Sequence, residues 1–221
     1  MPHSTFLNLP QRKQDRIIRS AIDEFLSAPY EKTSINRIVE NADIPKGSFY
    51  QYFPGKDDLY AFCIIQLSKQ ILEKQISQWR NGLLKTILKD VAAAGLYGTM
   101  QTRQKEATAI IGKKRYLFYV GIINAPRQLR NEVLLQIAGE LYQPIMRREL
   151  EEDPRVRKDV DLDYYAHLLS LAELVSIQYS EQAPQSIDEM SRHTYEYIKA
   201  IYTSICIPDG RQKSTGGITV R

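Results

Sequence analysis

Apolar residues recur at three- and four-residue intervals along almost the whole chain, and no other feature constrains the fold as much. Ile17, Ile18, Ala21, Ile22, Phe25 and Leu26 make one stripe, which predicts an amphipathic helix over about 10–27, with Pro10 in its first turn. "SAPYEKT" breaks it. A short helix follows over 34–41, carried by Ile35, Ile38 and Val39, with Thr33 as the expected N-cap. "ADI" is a tight corner in which Asp43 can take a left-handed backbone. Pro45 is expected at the first position of a third helix that stops near Phe53-Pro54-Gly55, and a long helix then runs from Lys56 to about Trp79. Further helices are expected near 83–97, 101–111, 113–125, 127–152, 161–182 and 187–206, and the polar tail 208–221 reads as disordered. No strand pattern or repeat interrupts this series, so the fold class is all-α.

The third helix is chemically unusual. "IPKGSFYQYFPGKDDLY" crowds Phe49, Tyr50, Tyr52 and Phe53 beside a Lys-Gly pair. At 100° per residue Phe49 and Phe53 fall together as i and i+4 neighbours and face the core. Gly47, Ser48 and Gln51 lie opposite, with Tyr50 and Tyr52 on the borders. Such a face suits a DNA groove. A Gln51 amide can pair bidentately with adenine, and tyrosines can reach phosphates and thymine methyls. Gly47 lets backbone approach closely, and Lys46 and Lys56 add charge at both ends. Thr33, Ser34, Asn36 and Arg37 open the preceding helix and can grip the neighbouring backbone strand. Helix, tight corner, helix is the helix-turn-helix arrangement.

The run "TSINRIVENADIPKGSFYQYFPGKDDLY" resembles the DNA-binding domain of the TetR family of bacterial transcriptional regulators. Thr33, Ser34, Ala42, Lys46, Gly47, Ser48, Phe49, Tyr50, Tyr52, Phe53 and Lys56 carry the resemblance without an insertion. Pro29, Asp43 and Pro45 stand where that family usually has glycine, glycine and serine. The resemblance implies a three-helix DNA-binding domain over 10–70, with the helix-turn-helix at 33–52. A long helix would join it to a helical ligand-binding and dimerisation domain over 71–207. It implies a homodimer on double-stranded DNA, built on the last two long helices, with Leu168, Ala172, Val175, Tyr179, Tyr197 and Ile201 at the interface. It also implies a small-molecule effector. Tyr97, Met100, Phe118, Ile122, Tyr142 and His167 are the pocket candidates, because they put aromatic and soft apolar groups on the intervening helices, and the effector is therefore expected to be apolar or aromatic.

Composition bounds the rest. Hydrophobic residues make up 43% and charged residues 25% of 221, ordinary for a globular protein. No apolar run is long enough to span a membrane, and "MPHSTFLNLPQRKQDR" lacks the apolar core of a signal peptide. Cys63 and Cys206 lie far apart with no CxxC pairing, which argues for a reducing compartment and against a zinc site, so the cytoplasm is expected. Residues 1–60 carry eight Lys/Arg and eight Asp/Glu, so charge counting does not single them out as a nucleic-acid binder; local arrangement must. The cluster Arg103, Lys105, Lys113, Lys114 and Arg115 reads as a solvated face, with an anionic ligand or passing DNA as the sharper alternative. His167 reads as a hydrogen-bonded core or interface histidine, with a ligand-contact or metal role as the alternative. No nucleotide-binding, HExxH, GxSxG or metal-ligand spacing is present, so neither a cofactor nor an enzyme is expected. The competing reading is a helical enzyme or small-molecule-binding protein in which the helix-turn-helix-like segment is incidental.

Overall fold

The computed structural model describes residues 1–78, 104–182 and 187–208, together with 82, 84 and 88. Among these residues every regular element is helical, and a single antiparallel bridge, Val156 to Cys206, is the nearest approach to a strand. The helices are α1 (Ser4–Leu7), α2 (Gln11–Ser27), α3 (Ile35–Asn41), α4 (Lys46–Tyr52), α5 (Lys56–Gln78), α6 (104–111), α7 (Lys113–Val120), α8 (Arg127–Ile137), α9 (Gln143–Glu152), α10 (Leu162–Gln182) and α11 (Ile187–Ile205). The expected segments 83–97 and 208–221 lie almost wholly outside the described residues. No described helix is long and apolar enough to cross a membrane.

The packing divides into two compact units. Residues up to Arg80 and those from Tyr97 to Ile137 form one; Asn81–Leu96 and Ala138 onward form the other. This differs from a linear boundary near residue 70, because α7 and α8 pack on α5, and α7 on α2 as well.

In the first unit the helix limits follow from local chemistry. Pro29 disfavours a helical residue before it, so Ala28 is extended (φ −156°, ψ 162°) and α2 stops. Pro10 and Pro45 stand at N-cap positions, one residue earlier than expected. At the end of α3, Ile44 N–H donates to Val39 O at 3.0 Å and Asp43 N–H to Glu40 O at 3.1 Å, a Schellman pair with Asp43 as its left-handed residue (φ 49°). Ile44 and Val39 are both buried beneath it. The core is aromatic. Phe6, Phe49 and Phe53 are fully buried, with Phe6 to Phe53 at 4.7 Å, Phe6 to Phe62 at 5.4 Å and Phe49 to Phe53 at 6.0 Å. A second cluster joins Phe25, Tyr60 and Phe118, with Phe118 5.7 Å from Phe25 and 5.1 Å from Tyr60. Cys63 of α5 is fully buried; burial pushes its thiol up to about 12, so it stays protonated and inert.

In the second unit, the expected single helix over 127–152 is interrupted. Residues Ala138–Tyr142 form a π-helical turn ahead of Pro144, which sits in the first turn of α9. Proline cannot donate to the ladder and its ring crowds the preceding turn, so the widened turn relieves the clash. Asp153, 2% exposed, ties the loop after α9 to α11. It accepts from Arg155 N at 3.0 Å and Nη2 at 2.9 Å and from the Tyr202 hydroxyl. Arg157 N donates to Ile205 O and Ile207 N to Arg155 O alongside. Burial raises the Asp153 carboxyl, but the Arg155 and Tyr202 bonds outweigh it and hold the group well below the usual range.

Two outcomes follow. Asp43→Gly should raise stability by up to about 1 kcal/mol in chemical denaturation, since the left-handed backbone no longer carries a Cβ. Asp153→Asn should cost about 1–3 kcal/mol at neutral pH by leaving buried donors poorly matched. Because the folded carboxyl is depressed, its contribution is present above the unfolded value of 3.8 and is lost as pH falls below it. Denaturant midpoints of the two proteins should therefore converge in acid.

Candidate nucleic-acid interface

Three elements build the site: α3, the turn 42–45 and α4. Phe49 and Phe53 anchor α4 in the aromatic core, so its other side must face outward. On that side Lys46, Gly47 and Gln51 are exposed and Tyr50 is 49% exposed, its ring edge-on to Phe49 at 5.2 Å. Ser48 is half-buried. A Cβ on Gly47 would meet nothing within 4 Å, so the surface there is open. The helix is further pinned by α1: the Thr5 hydroxyl donates to Gln51 O, and His3 N–H donates to Tyr52 O at 2.8 Å.

Tyr52 does not lie on a border. It is 7% exposed, packed edge-on to Phe6 at 6.2 Å with Lys13 Nζ 5.7 Å from its ring centroid. The cause is α1, four residues that the helical pattern did not reveal and whose Phe6 covers this side of α4. Tyr52 is thus a packing residue in this structure.

The start of α3 also differs from expectation. Ser34, not Thr33, holds the N-cap position, and its side chain makes no capping bond. Thr33 is buried and its hydroxyl donates to Tyr30 O at 2.6 Å. The capping work falls to Glu24 of α2, which the sequence reading passed over. Its Oε1 accepts from Ser34 N–H at 2.8 Å, and its two oxygens accept from Arg37 Nε at 2.9 Å each. The Arg37 bond lowers the carboxyl, against burial and with help from Ser34 N–H. A signal was present in the sequence: Glu24 continues the buried row Ile17, Ser20, Ala21, where a lone carboxylate requires a partner. Lys56 is likewise engaged. Its ammonium donates to Tyr30 O at 2.8 Å and Thr33 O at 3.4 Å and sits 4.3 Å from the Tyr30 ring centroid. Arg37 and Lys56 therefore act first as struts between α2, α3 and α5. Asn36 remains exposed beside them.

The sequence model for bacterial regulatory proteins of the tetR family matches residues 17–62, from the middle of α2 into α5. Over that segment the chain is similar to the TetR family. The HTH-type transcriptional regulator HbdR of Aromatoleum sp. (strain CIB) is 24% identical over 145 residues, covering 62% of this chain and 63% of that protein, so the match spans less than two thirds of that relative's length. The crystal structure of a putative TetR-family transcriptional regulator from Syntrophomonas wolfei str. Goettingen superposes with a TM-score of 0.51 at 18% identity, over 90% of this chain and 99% of that one. A TetR-family transcriptional regulator from Chloroflexus aurantiacus J-10-FL gives a TM-score of 0.44 at 22% identity, over 94% and 99% of the two chains. The Syntrophomonas likeness is one of fold: an all-helical chain whose family-matched part is the helix-turn-helix.

The remaining expected site residues are dispersed. Phe118 and Ile122, considered for a pocket, are core residues of the first unit. Tyr142 is half-buried in the π turn of the second unit, and His167 is exposed on α10 rather than enclosed. Tyr97 and Met100 lie outside the described residues. On the last two helices Leu168 and Ile201 are half-buried, Ala172 is 3% and Tyr197 38% exposed, and the side chains of Val175 and Tyr179 lie outside the described set.

Glu24→Ala should loosen α3. Leaving Ser34 N–H unpaired costs about 1–3 kcal/mol, and the depressed Glu24 carboxyl means that the wild-type advantage is present above its usual value of 4.5 and fades as pH falls below it. Thermal unfolding at pH 7 and in acid checks both statements.

Proposed function

We propose that the chain is a transcriptional regulator that binds a palindromic operator in double-stranded DNA as a homodimer, represses from that site, and is released by a small apolar or aromatic effector. The observation that carries this reading is the outward face of α4, open and polar over Lys46, Gly47, Tyr50 and Gln51, held rigidly on a buried aromatic base. Gln51 reads a base edge, while Lys46 and the α4 N-terminus, with Ser48, take phosphate. Tyr50 contacts the backbone or a thymine methyl. Asn36 and Ser34 grip the adjacent strand, and Thr33, Arg37 and Lys56 hold that grip in place, the two cations adding charge to it. By analogy with the resemblance, the second unit's helices α10 and α11 would pack against their copies in a dimer. Recognition helices about 34–36 Å apart would then enter successive major grooves. An effector preferring another separation lowers DNA affinity by the factor that DNA lowers its own, typically about 5–150-fold. A regulator of this kind works in the cytoplasm and needs no cofactor.

Operator selection from random duplexes, followed by titration, tests the assignment. Gln51→Ala should cost about 1–3 kcal/mol on the selected site and little on mixed sequence. Light scattering should give twice the 25.5 kDa of one chain. Failure to select any duplex, or a monomer mass at micromolar concentration, counts against the reading.

A further inference from the structure

Helix α2 places Arg12, Arg16 and Arg19 at i, i+4 and i+7, one exposed face. With Lys13 they line an open groove of about 610 Å³. Arg19 also lines a second groove, of about 290 Å³, whose other wall is the corner between α6 and α7 with Lys113, Lys114 and Arg115. Gly112 makes that corner possible by taking φ 82°, which turns the chain so that Lys114 Nζ reaches Asp23 Oδ1 at 2.7 Å. The two grooves share Arg19 and so form one strip, with seven cations against the carboxylates Asp15 and Asp23. Its near end touches the helix-turn-helix: Arg16 donates to Asp43 O at 3.3 Å, and Lys13 lies over the Tyr52 ring.

We propose that this strip is a second, sequence-independent contact for the DNA phosphate backbone, continuous with the helix-turn-helix face. The proposal rests on the DNA-binding reading above and extends it to residues outside that motif. Three physical arguments favour a phosphate backbone over an acidic protein. The cations are arrayed in a line. From Arg12 to Arg19 the helix rises about 10 Å, roughly the axial rise of three phosphates of one strand. Among the described residues that line it, the strip carries no aromatic anchor of the kind on which protein partners concentrate their binding energy. Its two ion pairs, Arg16 with Asp43 and Lys114 with Asp23, are exposed, and exposed pairs hold weakly enough to exchange a carboxylate for a phosphate.

The test uses the full chain and a mixed-sequence duplex of about 40 base pairs, titrated by fluorescence anisotropy between about 50 and 200 mM salt. Substituting Arg12→Gln, Arg19→Gln and Lys113→Gln together should lower the slope of log K against log salt by roughly 2–3, about one for each phosphate released. The charge-retaining set Arg12→Lys, Arg19→Lys and Lys113→Arg should keep the wild-type slope, and circular dichroism melts should show both variants folded. A wild type that binds while the neutralised variant keeps its slope overturns the strip, leaves the regulator reading standing, and redirects the search to an acidic protein face. A wild type that binds no duplex at low salt overturns both.

Discussion

The packing of Phe53 against Phe49, Phe6 and Phe62 is the contact on which the rest of the N-terminal unit depends. A seven-residue helix is too short to be stable alone, because nucleation costs more than so few hydrogen bonds return. Helix α4 exists because Phe49 within it and Phe53 at its C-cap are fully buried, joined to rings supplied by α1 and α5. That anchoring fixes its rotation about its own axis. Rotation decides which side chains are presented, and so Lys46, Gly47, Tyr50 and Gln51 share the open side while Tyr52 turns inward.

Around this base the polar groups mostly hold the helices at fixed separations. Glu24 bridges α2 to the start of α3 through Ser34 and Arg37, and Lys56 bridges the start of α5 to the Tyr30 and Thr33 carbonyls. The Glu24 bridge satisfies the Ser34 N–H, a group that a helix start leaves unpaired. A cation in such a place contributes twice, as a strut and as a local positive charge. This is why residues 1–60 can be neutral in sum and still present a basic groove along α2: their carboxylates include Glu24, which is buried, and Asp57, which takes the Tyr30 hydroxyl, whereas the arginines of α2 stay exposed.

The second unit uses the same devices for a different purpose. Asp153, Arg155 and Tyr202 fasten the loop after α9 to the end of α11, and the π turn Ala138–Tyr142 accommodates Pro144 in the first turn of α9. Both are places where one residue imposes a local geometry that the apolar period ignores.

Much of the fold was legible in the sequence because helical periodicity is local: α2, α5, α10 and α11 lie within a residue or two of their expected limits, and the left-handed Asp43 follows from a corner that must reverse the chain within three residues. The family resemblance was legible for the same reason, since its residues are contiguous. What the sequence could not settle are outcomes of distant packing. Helix α1 is one turn long and has no period to detect, yet its Phe6 decides that Tyr52 is buried. Glu24 and Arg37 are 13 residues apart and meet because α2 and α3 pack together. Phe118 has the look of a pocket residue until α7 packs against α2 and α5 and stacks it on Phe25. The chain's own pattern determined that it would be helices with a helix-turn-helix among them. Which polar side chains face solvent and which bind their neighbours was decided when those helices packed, because burial is a property of the assembled surface rather than of any one segment.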